Sequence, residues 1–131
     1  VHLKLPYKKY LELLGSSVLQ LTPFPFGNTN SFIDAMLVGV PTICLAGDEL
    51  SSTVDLGLSR MVGLPNVCRA TSFEEYVSGA VELIENDPQR KEIETLIQNQ
   101  NLQALFFEED SEKDNVICDM LIELADNRVI V

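Results

Sequence analysis

Pro23-Phe24-Pro25-Phe26-Gly27-Asn28-Thr29-Asn30, running on into Ser31-Phe32-Ile33-Asp34, decides how the rest of this chain is read. It follows a short apolar run, Val18-Leu19-Gln20-Leu21, and precedes a helical pattern through Ala35, Met36 and Leu37 that Gly39 ends. A stiff, polar-tipped loop therefore joins the C-terminal end of a strand to the start of a helix. In an open α/β sheet this is where ligands bind. A helix N-terminus there favours anions, with a nucleotide phosphate as the first expectation.

Each residue of the loop has a physical job in that reading. Pro23 and Pro25 fix φ and remove backbone donors, so the loop is stiff before any ligand arrives. Phe24 and Phe26 can anchor it or offer an apolar wall to a base or sugar. Gly27 permits a sharp turn. Asn28, Thr29 and Asn30 are helix-capping residue types whose side chains and amides can donate to phosphate oxygens. Asp34 lies one turn inside the helix on the face of Asn30; it cannot favour phosphate but can accept from ribose hydroxyls. A plainer alternative stands beside this: Asn28 and Thr29 merely cap, the Phe-Pro pairs plug the core, and Asp34 complements the helix dipole.

Working outward, residues 7–14 read as an amphipathic helix with Tyr7, Tyr10, Leu11 and Leu14 on one face, stopped by Gly15. The first strand covers residues 18–21 and a second, buried strand covers 41–45. The loop Gly47-Asp48-Glu49 then leads into a helix over about residues 52–61, which Gly63-Leu64-Pro65 breaks. Polar groups recur at that helix start: Ser51, Ser52 or Thr53 could touch a diphosphate and Asp48 or Glu49 a hydroxyl or metal, with plain capping as the competing account. Val67-Cys68 makes a third strand. Ser72-Phe73-Glu74-Glu75 reads as a capping box, Ser72 taking the Glu75 amide while Glu75 reaches back, and opens a helix to about residue 85. Asp87-Pro88 starts another helix, and a last one is expected over about residues 112–126.

Strands alternating with helices predict an α/β fold with a short parallel sheet and right-handed crossovers, a partial Rossmann-like three-layer domain spanning residues 1–131. Three strands make a thin sheet, and the chain does not open with Met. The expectation is a piece of a longer protein, the second half of a doubly wound domain, whose open sheet edge a missing domain or a second copy would cover in a homo-oligomer.

Composition narrows the partners. Against 9 basic residues stand 20 acidic ones, a formal net charge of −11, which repels nucleic-acid backbones and anionic membrane surfaces. No apolar run is long enough to span a bilayer and no signal-peptide pattern opens the chain. Cys44, Cys68 and Cys118 form no C-x-x-C pair, and their odd number argues against a disulfide framework. Cys44 and Cys68 read as buried thiols of a reducing compartment. The single histidine, His2, makes a Ser-His-Asp or Cys-His site complete within this chain an unfavoured reading.

The loop motif, taken with Asp34, Gly39, Pro41, Cys44-Leu45, Gly47, Asp55, Gly57-Leu58 and Gly63-Leu64-Pro65, resembles the C-terminal region of bacterial cytosolic protein N-glucosyltransferases. Those enzymes glycosylate adhesins. Tyr7-x-x-Tyr10-Leu11 looks like their lead-in helix, and Gly47-Asp48-Glu49-Leu50-Ser51-Ser52-Thr53-Val54 resembles a loop of the O-linked N-acetylglucosamine transferases. The resemblance covers roughly residues 1–80. It implies a GT-B fold, two Rossmann-like domains with the nucleotide sugar held mainly by the C-terminal one. It also implies UDP-glucose or UDP-N-acetylglucosamine as donor substrate, a protein side chain as acceptor, no metal or other cofactor, and a cytoplasmic protein.

On the same resemblance, Asn30, flanked by Asn28, Thr29 and Ser31 and their amides, meets the diphosphate, and Asp34 the ribose. Phe26 and Gly27 shape the sugar-diphosphate pocket. Lys4 and His2 occupy the stretch where the family often carries histidines near the uracil, which makes Lys4 the candidate there. The chain departs from the family in two places: Leu50-Ser51-Ser52-Thr53 stands where the N-glucosyltransferases usually show a His-containing segment, and Ser31 replaces a glycine. No catalytic base is assigned. The N-terminal domain and the first βα units of the C-terminal domain do not fit within the chain, so it alone is expected to be a donor-site fragment with no useful turnover. The alternative is a non-catalytic nucleotide-sugar-binding or protein-interaction module of the same fold. A receiver-type regulatory domain ranks last, because the first two strands end at Leu21 and Leu45 and lead into Thr-Pro and Ala-Gly rather than acidic pairs.

Overall fold

A computed structural model of the chain describes residues 5–47 and 50–108. His2, Lys4, Asp48, Glu49, Cys118 and the helix expected over residues 112–126 lie outside the described residues. The order of elements is α1 (Tyr7–Gly15), β1 (Gln20–Leu21), α2 (Thr29–Leu37), β2 (Thr42–Leu45), α3 (Leu50–Val62), a 3-10 turn (Asn66–Cys68), β3 (Arg69–Ala70), α4 (Phe73–Glu85), α5 (Asp87–Gln98) and α6 (Leu102–Phe107).

The strands form one parallel sheet in the order β1-β2-β3, with Gln20 opposite Thr42 and Cys44 opposite Arg69. All four residues of β2 are buried, as a central parallel strand covered on both faces requires. The α/β expectation holds. Phe32, Ala35 and Met36 supply the buried face of α2 at helical spacing. They join Ile43 of β2, Val62 and Leu64 at the end of α3, Leu83 of α4, and Ile93 and Ile97 of α5 in one core.

Helices α2 and α3 stop as their sequences foretold. Gly39 and Gly63 both sit at φ +78. Each lets the next residue turn back: the Val40 amide donates to the Ala35 carbonyl at 2.8 Å and the Leu64 amide to the Ser59 carbonyl at 3.0 Å. The Gly39 and Gly63 amides add the inner bond of the same C-terminal motif, to Met36 and Arg60.

Other details differ from the sequence reading. Only Gln20 and Leu21 of the expected first strand pair, and Val18 and Leu21 are about half exposed. Val67-Cys68, expected as the third strand, lies in the 3-10 turn; the Cys68 amide bonds the Pro65 carbonyl at 3.0 Å, and pairing begins only at Arg69. The capping box is displaced by one residue. Ser72 Oγ accepts from the Glu75 amide at 3.2 Å, but the Glu75 carboxylate reaches past Ser72 to the Thr71 hydroxyl and amide, both at 2.7 Å. Those two bonds, the hydroxyl first, hold the Glu75 carboxyl below its usual pKa. Helix α6 was not expected; the Asn101 side chain caps it at the Ala104 amide, and Leu102, Leu105 and Phe106 pack on the core. Among the described residues no helix is long and apolar enough to cross a membrane.

Candidate functional site

The loop after β1 is braced from several sides. The Thr22 amide extends the ladder to the Ile43 carbonyl at 3.0 Å, and the Thr22 carbonyl accepts from the Tyr76 hydroxyl of α4 at 2.7 Å. Burial raises the pKa of that hydroxyl, which keeps it a donor. Phe24 packs edge-on against Phe73 with ring centroids 5.2 Å apart. The Phe24–Pro25 peptide is cis, and the turn closes with the Gly27 amide on the Pro23 carbonyl at 2.8 Å. Gly27 takes φ +67, the left-handed conformation for which glycine is suited. Beneath the loop, a Cβ on Gly47 would stand 2.9 Å from the Phe24 ring and 2.9 Å from Ser52 Oγ, so the loops after β1 and β2 touch without room for a side chain. Phe26 at the tip is 76% exposed, and Phe24 is also exposed; neither is a core plug.

Helix α2 begins in an arrangement that simple capping does not describe. Asn28 is the N-cap but its side chain makes no capping bond. Its backbone amide instead donates to Asp55 Oδ2 at 2.6 Å, and the Thr29 hydroxyl donates to Asp55 Oδ1 at 3.1 Å. The first helical bond runs from the Phe32 amide to the Asn28 carbonyl at 2.8 Å. The amides of Thr29, Asn30 and Ser31 are thus left without a partner among the described residues, at the positive end of the helix. Three such donors on one turn suit an anion.

The expected residues fall together accordingly. Phe26, Gly27, Asn28, Thr29, Asn30 and Ser31 form one continuous turn and the start of α2, with Asn30 exposed and Ser31 half-buried. Asp34 follows one turn on, where its Oδ1 accepts from the Tyr7 hydroxyl of α1 at 2.6 Å; that bond raises the Tyr7 pKa. Ser52, a candidate at the next helix start, is buried, while Thr53 is exposed.

The two described cysteines sit inside the fold. Burial pushes the Cys44 thiol up to about 11 and the Cys68 thiol to about 12, and Cys44 Sγ donates to the Cys68 carbonyl at 3.4 Å. A cavity of about 690 Å³ opens elsewhere, along the side of β3 away from β2, lined among others by Arg60, Asn66, Arg69, Glu75 and Glu82. It carries charges of both signs, and none of the loop residues lines it.

Residue-level reasoning gave Asp55 no role; it entered only as part of a family resemblance. The signal was available. Ser52, Asp55, Ser59 and Val62 are the buried stripe of α3 at helical spacing, and a lone carboxylate on a buried face needs donors.

Comparison with known proteins adds two findings. Over 102 residues, 77% of this chain, the sequence is 40% identical to the UDP-glucose:protein N-beta-glucosyltransferase of Actinobacillus pleuropneumoniae serotype 5b, and equally to that of serotype 7. The fold superposes on a Thermobaculum terrenum O-GlcNAc transferase mutant with a TM-score of 0.76 over 89% of this chain, at 18% identity. The chain has the sequence and fold of a region of GT-B protein glycosyltransferases.

A weaker match, 31% identity over 65 residues and 50% of the chain, is to a probable UDP-N-acetylglucosamine–peptide N-acetylglucosaminyltransferase SPINDLY of Solanum lycopersicum. The chain spans 16% of the length of the bacterial glucosyltransferases and 22% of the superposed O-GlcNAc transferase. No protein-family model matches it.

Proposed function

We propose that this chain forms part of the donor site of a protein glycosyltransferase and holds the diphosphate and ribose of a UDP-sugar, UDP-glucose or UDP-N-acetylglucosamine. The observation that carries the reading is the trio of amides at Thr29, Asn30 and Ser31, without partners among the described residues, on a loop braced by α3 and α4. The relatives' activity on UDP-glucose supports the choice of nucleotide.

As the bond between the sugar's anomeric carbon and the β-phosphate oxygen breaks, negative charge builds on the departing UDP. Amides fixed before the reaction stabilise that charge without reorganising, and the dipole of α2 adds to them. In this reading they take the part that a divalent cation plays elsewhere, and no metal or other cofactor is invoked. Asp34 accepts from the ribose hydroxyls, Phe26 and Gly27 wall the sugar-diphosphate pocket, and Lys4, outside the described residues, is the candidate contact for the uracil.

The acceptor is a protein side chain, held by parts of the enzyme beyond these residues. A cytoplasmic setting accords with two buried free thiols. The exposed Leu21 at the outer side of β1 leaves an edge for the rest of the domain or for a second copy.

Calorimetric titration with UDP-glucose, UDP-N-acetylglucosamine and ADP tests the reading. Saturable binding of the uridine ligands with ADP far weaker supports it. Equal binding of all three, or of none, contradicts it.

A further inference from the structure

We propose that Asp55 is the positioning residue of this site: its buried carboxylate draws the Asn28 amide and Thr29 hydroxyl inward, so that the next three amides face an anionic ligand. The inference rests on the donor-site reading and assigns a role to a residue that never meets the ligand. Asp55 is 1% exposed, on the buried stripe of α3 with Ser52, Ser59 and Val62. No cation pairs with it among the described residues, where the ion pairs found all involve Arg90. A buried carboxylate without a counter-ion is costly and persists where donors are aimed at it. The donors are the Asn28 amide at 2.6 Å and the Thr29 hydroxyl at 3.1 Å, 27 and 26 residues away in sequence.

The geometry of the loop follows from those bonds. Asn28 has φ −158 and ψ 57, outside the helical region, so its amide turns away from the axis along which the next three point. The Thr29 hydroxyl is committed to Asp55 and is not offered to a phosphate. The carboxylate oxygens only accept, which suits them to face an N–H and an O–H together. Asparagine at this position could still accept from the Asn28 amide through its carbonyl and donate its amide to Thr29 Oγ1, because a hydroxyl both donates and accepts. Alanine could do neither.

The test compares Asp55→Ala, Asp55→Asn and Thr29→Val with the unaltered chain, each titrated with UDP and with uridine. In Asp55→Ala the UDP affinity is expected to fall about tenfold while uridine affinity stays within about twofold, the loss expected of misplaced charge-assisted bonds. Asp55→Asn restores UDP binding to near that of the unaltered chain. Folded Asp55→Ala that binds UDP as before, or that loses UDP and uridine alike, overturns the role. So does tighter UDP binding in both Asp55 variants, which would make the carboxylate chiefly a repulsive charge.

If Asp55→Ala does not fold, Thr29→Val decides: a loss of about threefold for UDP and none for uridine is expected, and no selective loss overturns the role. Absence of UDP binding by the unaltered chain would fell the donor-site reading and this role with it. Failure of the variants alone would fell only the role.

Discussion

The Tyr7 hydroxyl donates to Asp34 Oδ1 at 2.6 Å, tying α1 to the helix that carries the candidate site. The carboxylate lies one turn beyond three amides that have no partner among the described residues, so α1 bears directly on the proposed ribose position. The bond, with smaller help from desolvation, raises the Tyr7 pKa above its ordinary 10.0. A raised pKa means that the contact contributes fully below 10.0 and is lost as pH rises through the folded-state value. Spectrophotometric titration should therefore show Tyr7, identified by difference from Tyr7→Phe, ionising later than a free tyrosine. Asp34→Asn should bring it earlier. An unchanged titration in Asp34→Asn would mean that the bond does not form in solution.

On the proposed donor site, variants of Asp34 and Asn30 tell a ribose contact from a diphosphate contact. Asp34→Ala should weaken UDP by about 1–2 kcal/mol and leave pyrophosphate nearly unchanged, since only UDP brings ribose hydroxyls to accept from. Equal loss for both ligands would remove the ribose role.

Asn30→Ala should weaken UDP and pyrophosphate alike by about 1–2 kcal/mol, the value of a charge-assisted hydrogen bond. Isothermal titration of the two ligands reads both variants. Unchanged pyrophosphate binding in Asn30→Ala would leave its side chain with no part in holding the diphosphate.

Two helical glycines should respond to alanine with opposite sign. A Cβ on Gly79 of α4 would meet the Val67 carbonyl oxygen at 2.8 Å, a backbone atom that cannot swing away. Overpacking of that kind costs about 1–3 kcal/mol, and the intrinsic gain of alanine over glycine, about 1 kcal/mol, offsets only part of it. Gly57 of α3 is exposed and has nothing within 4 Å of its would-be Cβ, so Gly57→Ala should stabilise by about 0.5–1 kcal/mol. Denaturant unfolding of both variants checks the pair. Stabilisation by Gly79→Ala would mean that α4 does not approach the Val67 turn this closely.

Cys44 and Cys68 should be silent toward thiol reagents in the folded chain. With the thiols raised to about 11 and about 12, the thiolate fraction of Cys44 at pH 8 is only roughly one in a thousand, and that of Cys68 lower still. In Cys118→Ser, which removes the third cysteine, modification should proceed at the rate of unfolding and speed up in denaturant. Prompt labelling under native conditions would contradict their burial.

Much of this was legible in the sequence where a local rule and the packing agreed. Gly39 and Gly63 end their helices because a left-handed residue lets the chain bond back. The central strand was legible because Thr42-Ile43-Cys44-Leu45 is a short apolar run, too short for a helix, flanked by Pro41 and Gly47. The third strand was misplaced by two residues because the turn after Pro65 is held by a local amide bond that hydrophobicity does not register. Helix α6 was hidden because Asn99, Gln100 and Asn101 look like a loop, although Asn101 is its cap. At the site, residue types gave the loop and the anion-seeking helix start. They did not give Asp55 or the Tyr7–Asp34 bond, which join residues 27 apart in sequence and exist only once the helices are packed.

The most direct test of the donor-site account is an amide NMR titration of the chain with UDP, its two sugar conjugates and ADP. The account predicts saturable shifts concentrated at the amides of Thr29, Asn30 and Ser31, with Gly27 and Asp34 following, for the uridine ligands and not for ADP. Saturable UDP shifts that spare these amides and fall elsewhere, for instance around Arg60 and Arg69, would contradict it.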